Sequence, residues 1–384
     1  MSENQLRRFR NILYGHLNNR ADAIISLLDA LTANTTASTV VELSLSPLFP
    51  YGHDSLYEAI SAFQLPPQAQ HQLLSLAIPQ NHDRPFWLFC VDVSPHPRPY
   101  ADTLPDRSII YNHTPIKGNK PITIGHRYST IALLPERNPN DPPWIIPLHT
   151  QRVKSNQDPE LTGAHQLQSL FESPLLPFLH DLKVIVGDSK YSKPSFLLAF
   201  ADKPDAAIIV RVRNNRVFYR AYQPHPEQPR KRGHPRWYGQ RFALNNPETW
   251  PEPDEETTFS ITTRKGKLRK GRIRVWQNIL MRGSRRHPMH RYPFTLLCVE
   301  ILTPEGKPVY KRPLWLIIFG LPRQRITAEQ GYQAYNQRFD IEHYFRFAKR
   351  RLLLTSFQTP IDVHEEHWWQ LAQMAYLQLW LARD

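Results

Sequence analysis

Two short apolar runs that each reach an aspartate constrain this chain most: "FWLFCVDVS" (86–94) and "KVIVGDS" (183–189). Apolar runs of this length, rich in β-branched and aromatic residues and bounded by turn residues, are buried strands rather than helices. Further runs share that texture: "PITIGHRYSTIALLPE", "WIIPLHTQRV", "AAIIVRVR", "PFTLLCVEI" and "PLWLIIFG". Between them, "GAHQLQSLFESPLLPFLHDL" reads as helix interrupted near Pro174, and "KPSFLLAFA" as a short helix. Strands alternating with helices predict a mixed α/β sheet. An aspartate closing a buried strand is unfavourable unless it is paired or bound to a metal, so Asp92 and Asp188 are candidate functional carboxylates, although a strand-end Asp often caps a loop or helix instead.

The flanks read differently. Residues 4–30 carry an amphipathic pattern (Leu6, Phe9, Ile12, Leu13, Leu17, then Ile24, Ile25, Leu27, Leu28) that predicts one or two helices. "SLYEAISAF" and "QAQHQLLSLAI" continue as short helices, giving a helical N-terminal domain over 1–80. Residues 214–293 break the strand–helix rhythm with dense Pro and Arg and then strand-like pieces, which predicts a β-rich basic insertion. Two helices follow, over about 327–353 and 362–382. The expected division is a core over 81–213 and 294–360, the insertion at 214–293, and a C-terminal helix over 361–384. The chain closes on "LQLWLARD", inside an apolar helix.

Charge narrows the partner. The formal net charge is +14, and it is uneven. From Arg264 to Arg291, 11 of 28 residues are Lys or Arg and none is acidic; from Arg211 to Arg241, nine of 31 are basic against Glu227 alone. Residues 1–80 hold four Arg against six Asp or Glu. A positive field concentrated in mid-chain predicts a polyanionic partner, nucleic acid first. No apolar run is long enough for a membrane span, and the N-terminus lacks a signal-peptide core. Cys90 and Cys298, the only cysteines, lie in strand-like runs and read as buried thiols rather than a disulfide. Together these features predict a cytoplasmic protein, nucleoid-associated if bacterial.

The late helix contains "YNQRFDIEHYFRFAKRR" (335–351). At about 100° per residue, Tyr335, Arg338, Glu342 and Lys349 share a stripe roughly 60° wide, with Arg346 at its border. Ile341, Phe345, Ala348 and Leu352 form an adjacent apolar stripe, and Asp340 points elsewhere. Such a helix presents one carboxylate among cations and a phenol. That is either a solvated face with i,i+4 ion pairs or a site for a phosphate-bearing substrate, in which the carboxylate binds a metal and the cations bind phosphate oxygens. With Asp92 and Asp188, Glu342 could complete an oxygen cage for two Mg²⁺ ions, as two-metal phosphoryl transfer requires.

"FCVDVS", "IVGDSKY" and "YNQRFDIEHYFRFAK" resemble the three acidic motifs of the DDE transposases. The last matches Tyr-x₂-Arg-x₃-Glu-x₆-Lys, the Tyr-Arg-Glu-Lys signature of one insertion-sequence group, at every fixed position. The resemblance covers roughly 85–355. It implies an RNase H-like mixed-sheet catalytic core with a β-rich insertion between the second Asp and the Glu, and Asp188 and Glu342 lie 154 positions apart. It implies Asp92, Asp188 and Glu342 as catalytic metal ligands for two Mg²⁺ ions, with Mn²⁺ as a substitute. It places Tyr335, Arg338 and Lys349 on DNA phosphates near the cleaved end. Metal-activated water would cut a strand at the element's end, and the freed 3′ hydroxyl would attack target DNA. The partner is double-stranded DNA, transposon end and target, held by a dimer when two ends are paired. Members often continue into a C-terminal dimerisation region, which is short or missing here.

Other residues rank behind these. Trp237, in "GHPRWYGQR", is a candidate for stacking on a base; Trp250 is a second, and Trp276 reads as core. "RKGKLRKGRIR" (264–274) could track a backbone, and Arg211 and Arg213 could reach the carboxylate groove. His96, His113, His126 and His149 show no paired zinc-site spacing, and "HEEHWWQ" (364–370) matches no hydrolase motif, with Trp368 and Trp369 as packing residues. The rival functions are a repurposed DNA-binding protein and a non-transposing RNase H-like nuclease.

Overall fold

A computed structural model describes residues 3–81, 83–101, 103–111, 121–138, 140–223, 236–262 and 266–383. His113, Arg264, Lys265 and most of the proline–arginine stretch before Arg236 lie outside them. The chain forms two compact units, Met1–His180 with Phe339–Asp384, and Asp181–Arg338.

The first unit opens with helices α1 (Glu3–Gly15), α2 (Ala21–Thr32), α3 (His53–Ala62) and α4 (Pro67–Ala77). Phe9 and Leu13 of α1 and Ile24, Leu27, Leu28 and Leu31 of α2 are fully buried, as the amphipathic spacing predicts. Strands β1 (Trp87–Pro97), β2 (Ser108–Tyr111), β3 (Ile122–Leu133) and β4 (Ile146–Val153) follow. β3 lies between β1 and β4, and also pairs β2; all three pairings are antiparallel. Helix α5 (Pro159–Phe171) comes next, started by Pro159 and by Asp158, whose carboxylate accepts the Glu160 and Leu161 N–H groups.

In the second unit, β5 (Lys183–Gly187) leads through a 3₁₀ turn at Ser189–Ser192 and helix α6 (Pro194–Leu198) to β6 (Ala206–Val212), which runs parallel to β5. Strands β7 (Val217–Ala221), β8 (Tyr238–Ala243), β9 (Glu255–Thr262) and β10 (Leu268–Met281) make up the expected β-rich stretch. β11 (Phe294–Leu302) and β12 (Leu314–Phe319) join it to β6, so this unit's sheet runs β5-β6-β12-β11-β10-β7-β8, with β9 on β10. Trp276 and Trp315 are almost wholly buried and pack with Phe242 and Trp250, which places Trp276 in the core as expected. Helix α7 (Ala328–Gln337) is started by a capping box between Thr327 and Gln330.

The chain then re-enters the first unit as α8 (Asp340–Arg351) and α9 (Asp362–Leu381). α9 is buried on nearly every face; Trp368 and Trp369 are packing residues, as read from the sequence. Among the described residues no helix is long and apolar enough to cross a membrane. Cys90 and Cys298 are both buried thiols, and burial pushes Cys298 up to about 12.

Two expectations need correction. The single helix over 327–353 is two helices, divided at Arg338–Phe339. There the Arg338 N–H bonds the Tyr335 carbonyl and the Glu342 N–H bonds the Phe339 carbonyl, each three residues back, so the ladder tightens instead of continuing. Asp92 does not end its strand. The fully buried stretch stops at Val91, but β1 continues to Pro97, with Asp92 opposite Thr130 of β3.

Candidate active site

In the first unit, Asp92 sits half-buried in mid-strand and accepts the Val93 N–H through its own carboxylate at 2.9 Å. Lys349 of α8 stands within its electrostatic reach. Burial lowers the Lys349 amine, and the Asp92 carboxylate counters that shift. The Lys349 stem packs toward Phe345, its Nζ 5.8 Å from the ring centre. Ile341, Phe345, Ala348 and Leu352 are buried, so α8 seats its apolar stripe as predicted. Glu342 and Arg346 are exposed on the same helix. Asp340 behaves otherwise. It is almost fully buried and takes a bidentate pair from Arg137 at 2.8 and 2.9 Å, a structural clamp that the sequence does not reveal.

In the second unit, Asp188 follows β5 directly. Its carboxylate caps the 3₁₀ turn by accepting the Lys190 N–H at 2.7 Å. The close packing of Gly187 on Tyr191 leaves no space for a side chain there; a Cβ would lie 2.9 Å from the ring. Tyr335 and Arg338 are both buried, and the Arg338 guanidinium lies over the Tyr335 ring, 5.6 Å from its centre. Burial raises the Tyr335 phenol, Arg338 and Arg211 oppose that, and Asp188 adds to it. These four side chains therefore share one electrostatic neighbourhood. Arg211, an expected but peripheral residue, joins them; Arg213, just beyond β6, is exposed like Arg211. The helix break puts Tyr335 and Arg338 in one unit and Glu342 and Lys349 in the other.

Trp237 is partly exposed, and its ring stacks face to face on His290 at 3.5 Å and 3°. Trp250 is half-buried beneath the Arg274 guanidinium. In the basic stretch 264–274, Arg272 and Arg274 are both paired with Glu300, which reduces the charge that this run offers.

The carboxylate most deeply committed to structure was missed. Glu365 of α9 is fully buried and is met by Arg98 at 2.7 Å, His126 Nδ1 at 2.8 Å and the Tyr128 hydroxyl at 2.7 Å, with His96 Nδ1 at 3.5 Å. Burial pulls its carboxyl up, but His126, His96 and Tyr128 outweigh that and hold it down to about 2. The Trp369 N–H donates to His96 Nδ1 at 3.2 Å, so the proton of a neutral His96 sits on Nε2; burial lowers this imidazole to about 4. His149 is likewise lowered to about 4 by burial. His96 and His126 are core groups and His149 is half-buried; the β1–β3 register that sets His96 opposite His126 assembles the network.

Asp92, Asp188 and Glu342 offer only carboxylate oxygen, the donor type that suits a hard divalent ion such as Mg²⁺. Each is half-buried or exposed rather than sealed. Among the described residues, no group of three or more His, Cys, Asp or Glu stands ready as a metal cage. By donor chemistry and accessibility, each of the three fits such an ion.

Comparison with known proteins gives a family. The DDE superfamily endonuclease model matches residues 12–277, more than half of the chain. That span includes Asp92 and Asp188 and ends before Glu342. No curated protein matches the chain.

Proposed function

Because this chain belongs to the DDE superfamily endonucleases, we propose that it is a transposase, which cuts DNA at the ends of an insertion sequence and joins the freed 3′ hydroxyl to target DNA. The observation that carries this reading is the Tyr335–Arg338–Glu342–Lys349 spacing, placed after Asp92 in β1 and Asp188 directly after β5. The electrostatic grouping of Asp92 with Lys349, and of Asp188 with Tyr335, Arg338 and Arg211, supports it.

In this reading Asp92, Asp188 and Glu342 hold two Mg²⁺ ions, with Mn²⁺ as a substitute. The ions, when bound, supply activation of the attacking oxygen and stabilisation of the leaving one. The chain's own residues do the rest. Arg338 and Lys349 set phosphate oxygens against the carboxylates, and the burial of Arg338 and half-burial of Lys349 strengthen that grip over what it would be in water. Tyr335 donates its hydroxyl to a phosphate, which burial favours by keeping the phenol protonated. Arg346, exposed one turn from Glu342, contacts the flanking backbone, and Trp237 stacks on a base. A dimer pairs two double-stranded DNA ends. Residues 81–213 and 294–360 carry the chemistry, 214–293 engages DNA, and 1–80 takes part in recognising the end.

The test is incubation with DNA from the flanks of the gene's own locus, with Mg²⁺ or EDTA, plus a target plasmid. Metal-dependent nicking at one boundary followed by joining supports the reading. Nicking without joining leaves a nuclease of the same core, and specific binding without nicking leaves a repurposed DNA-binding protein.

A further inference from the structure

The connection between β10 and β11 is a shaped loop, not a slack one. Within "RGSRRHPMHR" (282–291), Ser284 and His287 exchange backbone hydrogen bonds at 2.9 and 3.1 Å. Met289 is fully buried and pins the loop, and a 3₁₀ turn closes it at Met289–Arg291. The Gly283 N–H donates to the Tyr238 hydroxyl at 3.2 Å. Gly283 sits so close to the returning strand that a Cβ would lie 2.2 Å from the His287 carbonyl oxygen and 2.6 Å from the Met289 nitrogen. Only glycine permits this turn.

What the turn displays is cationic. Arg282, Arg285, Arg286 and Arg291 are exposed, and no acidic residue occurs in the loop. Arg282 rests near the Tyr219 ring, 6.0 Å from its centre. Arg285, Arg286 and Arg291 make no ion pair with the described residues, in contrast to Arg272 and Arg274, which share Glu300. Beside them the loop's His290 stacks on Trp237. Holding several unpaired guanidinium groups together costs self-repulsion, which a bound polyanion relieves. A rigid turn lowers the ordering cost of binding, and an aromatic pair at its edge suits a nucleic acid.

We propose that the 282–291 loop is a preformed docking site for the phosphate backbone of DNA, with Arg285, Arg286 and Arg291 as the phosphate-contacting groups. This rests on the proposed function in taking DNA as the ligand and deepens the role given there to 214–293, and it uses none of the residues assigned to cleavage.

The test is binding of a short labelled DNA duplex of arbitrary sequence, measured over a range of salt concentrations, with nicking followed in parallel. Arg285→Ala/Arg286→Ala is expected to weaken binding and to make the log–log salt slope shallower by about 2, since each neutralised phosphate contributes roughly 0.9. Gly283→Ala keeps every charge and is expected to weaken binding because the turn is broken. The charge-matched control, Lys307→Ala/Lys311→Ala, removes two exposed lysines elsewhere in the unit and is expected to leave the slope unchanged. Wild-type affinity and slope in the arginine double variant would overturn the proposal, as would an equal loss in the lysine control. Loop-dependent binding by a wild-type protein that never nicks would overturn the transposase reading and leave the loop intact.

Discussion

Glu342 and Glu365 lie on successive helices of one unit and have opposite surroundings. Glu365 is sealed, and Arg98, His126 and Tyr128 hold its carboxylate at hydrogen-bond distance. Glu342 is exposed on α8. A carboxylate buried among fixed partners organises a core; one exposed to solvent is accessible to a ligand. Asp340, two residues before Glu342, falls on the structural side, because Arg137 clamps it. Residue type therefore does not separate the structural acids from the proposed catalytic one; burial does.

Four substitutions can break or sharpen this contrast. Asp188→Ala should have the largest effect on activity: loss of detectable nicking in a Mg²⁺ cleavage assay, with duplex binding retained. Glu365→Gln should have the largest effect on folding. It leaves the buried Arg98 guanidinium short of its partner, at a cost of about 3–5 kcal/mol in urea unfolding. The Glu365 contribution is present above its ordinary value of 4.5 and is lost as pH falls from there toward about 2, because its folded value is the lower one.

His149→Gln probes a milder acid effect. The folded imidazole titrates at about 4 rather than 6.5. Its neutral burial therefore stabilises above pH 6.5, and that stability, on the order of 3 kcal/mol at full effect, is lost as pH falls toward 4. The variant should flatten the stability–pH curve in that window, and an unchanged curve would contradict the assignment. The smallest effect is expected from Asp340→Asn, a loss of about 2 kcal/mol with nicking per folded molecule unchanged. Loss of nicking there would place Asp340 with the working acids.

Much of the fold was legible in the sequence because local pattern carries it. The apolar runs became β1, β5, β6, β11 and β12, and the amphipathic spacing of the N-terminal segment became α1 and α2. The candidate acids rest on spacing alone. The features that were missed are non-local. Arg137 reaches Asp340 across 203 positions and Arg98 reaches Glu365 across 267, and no window-based reading joins such pairs. The break at Arg338–Phe339 carries no Gly or Pro to announce it; two backbone bonds that shorten to three-residue spacing make it. Asp92 was placed at a strand end because the apolar run stops there, whereas pairing with β3 carries the strand on through Pro95 and Pro97. The prolines hid the continuation.

The most direct measurement is single-turnover cleavage of an end-containing duplex in Mg²⁺, with a thermal melt of each protein, for wild type, Glu342→Gln and Glu365→Gln. Glu342→Gln should melt with the wild type and not cut, while Glu365→Gln should melt lower and still cut in proportion to its folded fraction. Wild-type cutting by Glu342→Gln, or a melt lowered by Glu342→Gln and not by Glu365→Gln, would contradict the proposed division between catalytic and structural acids.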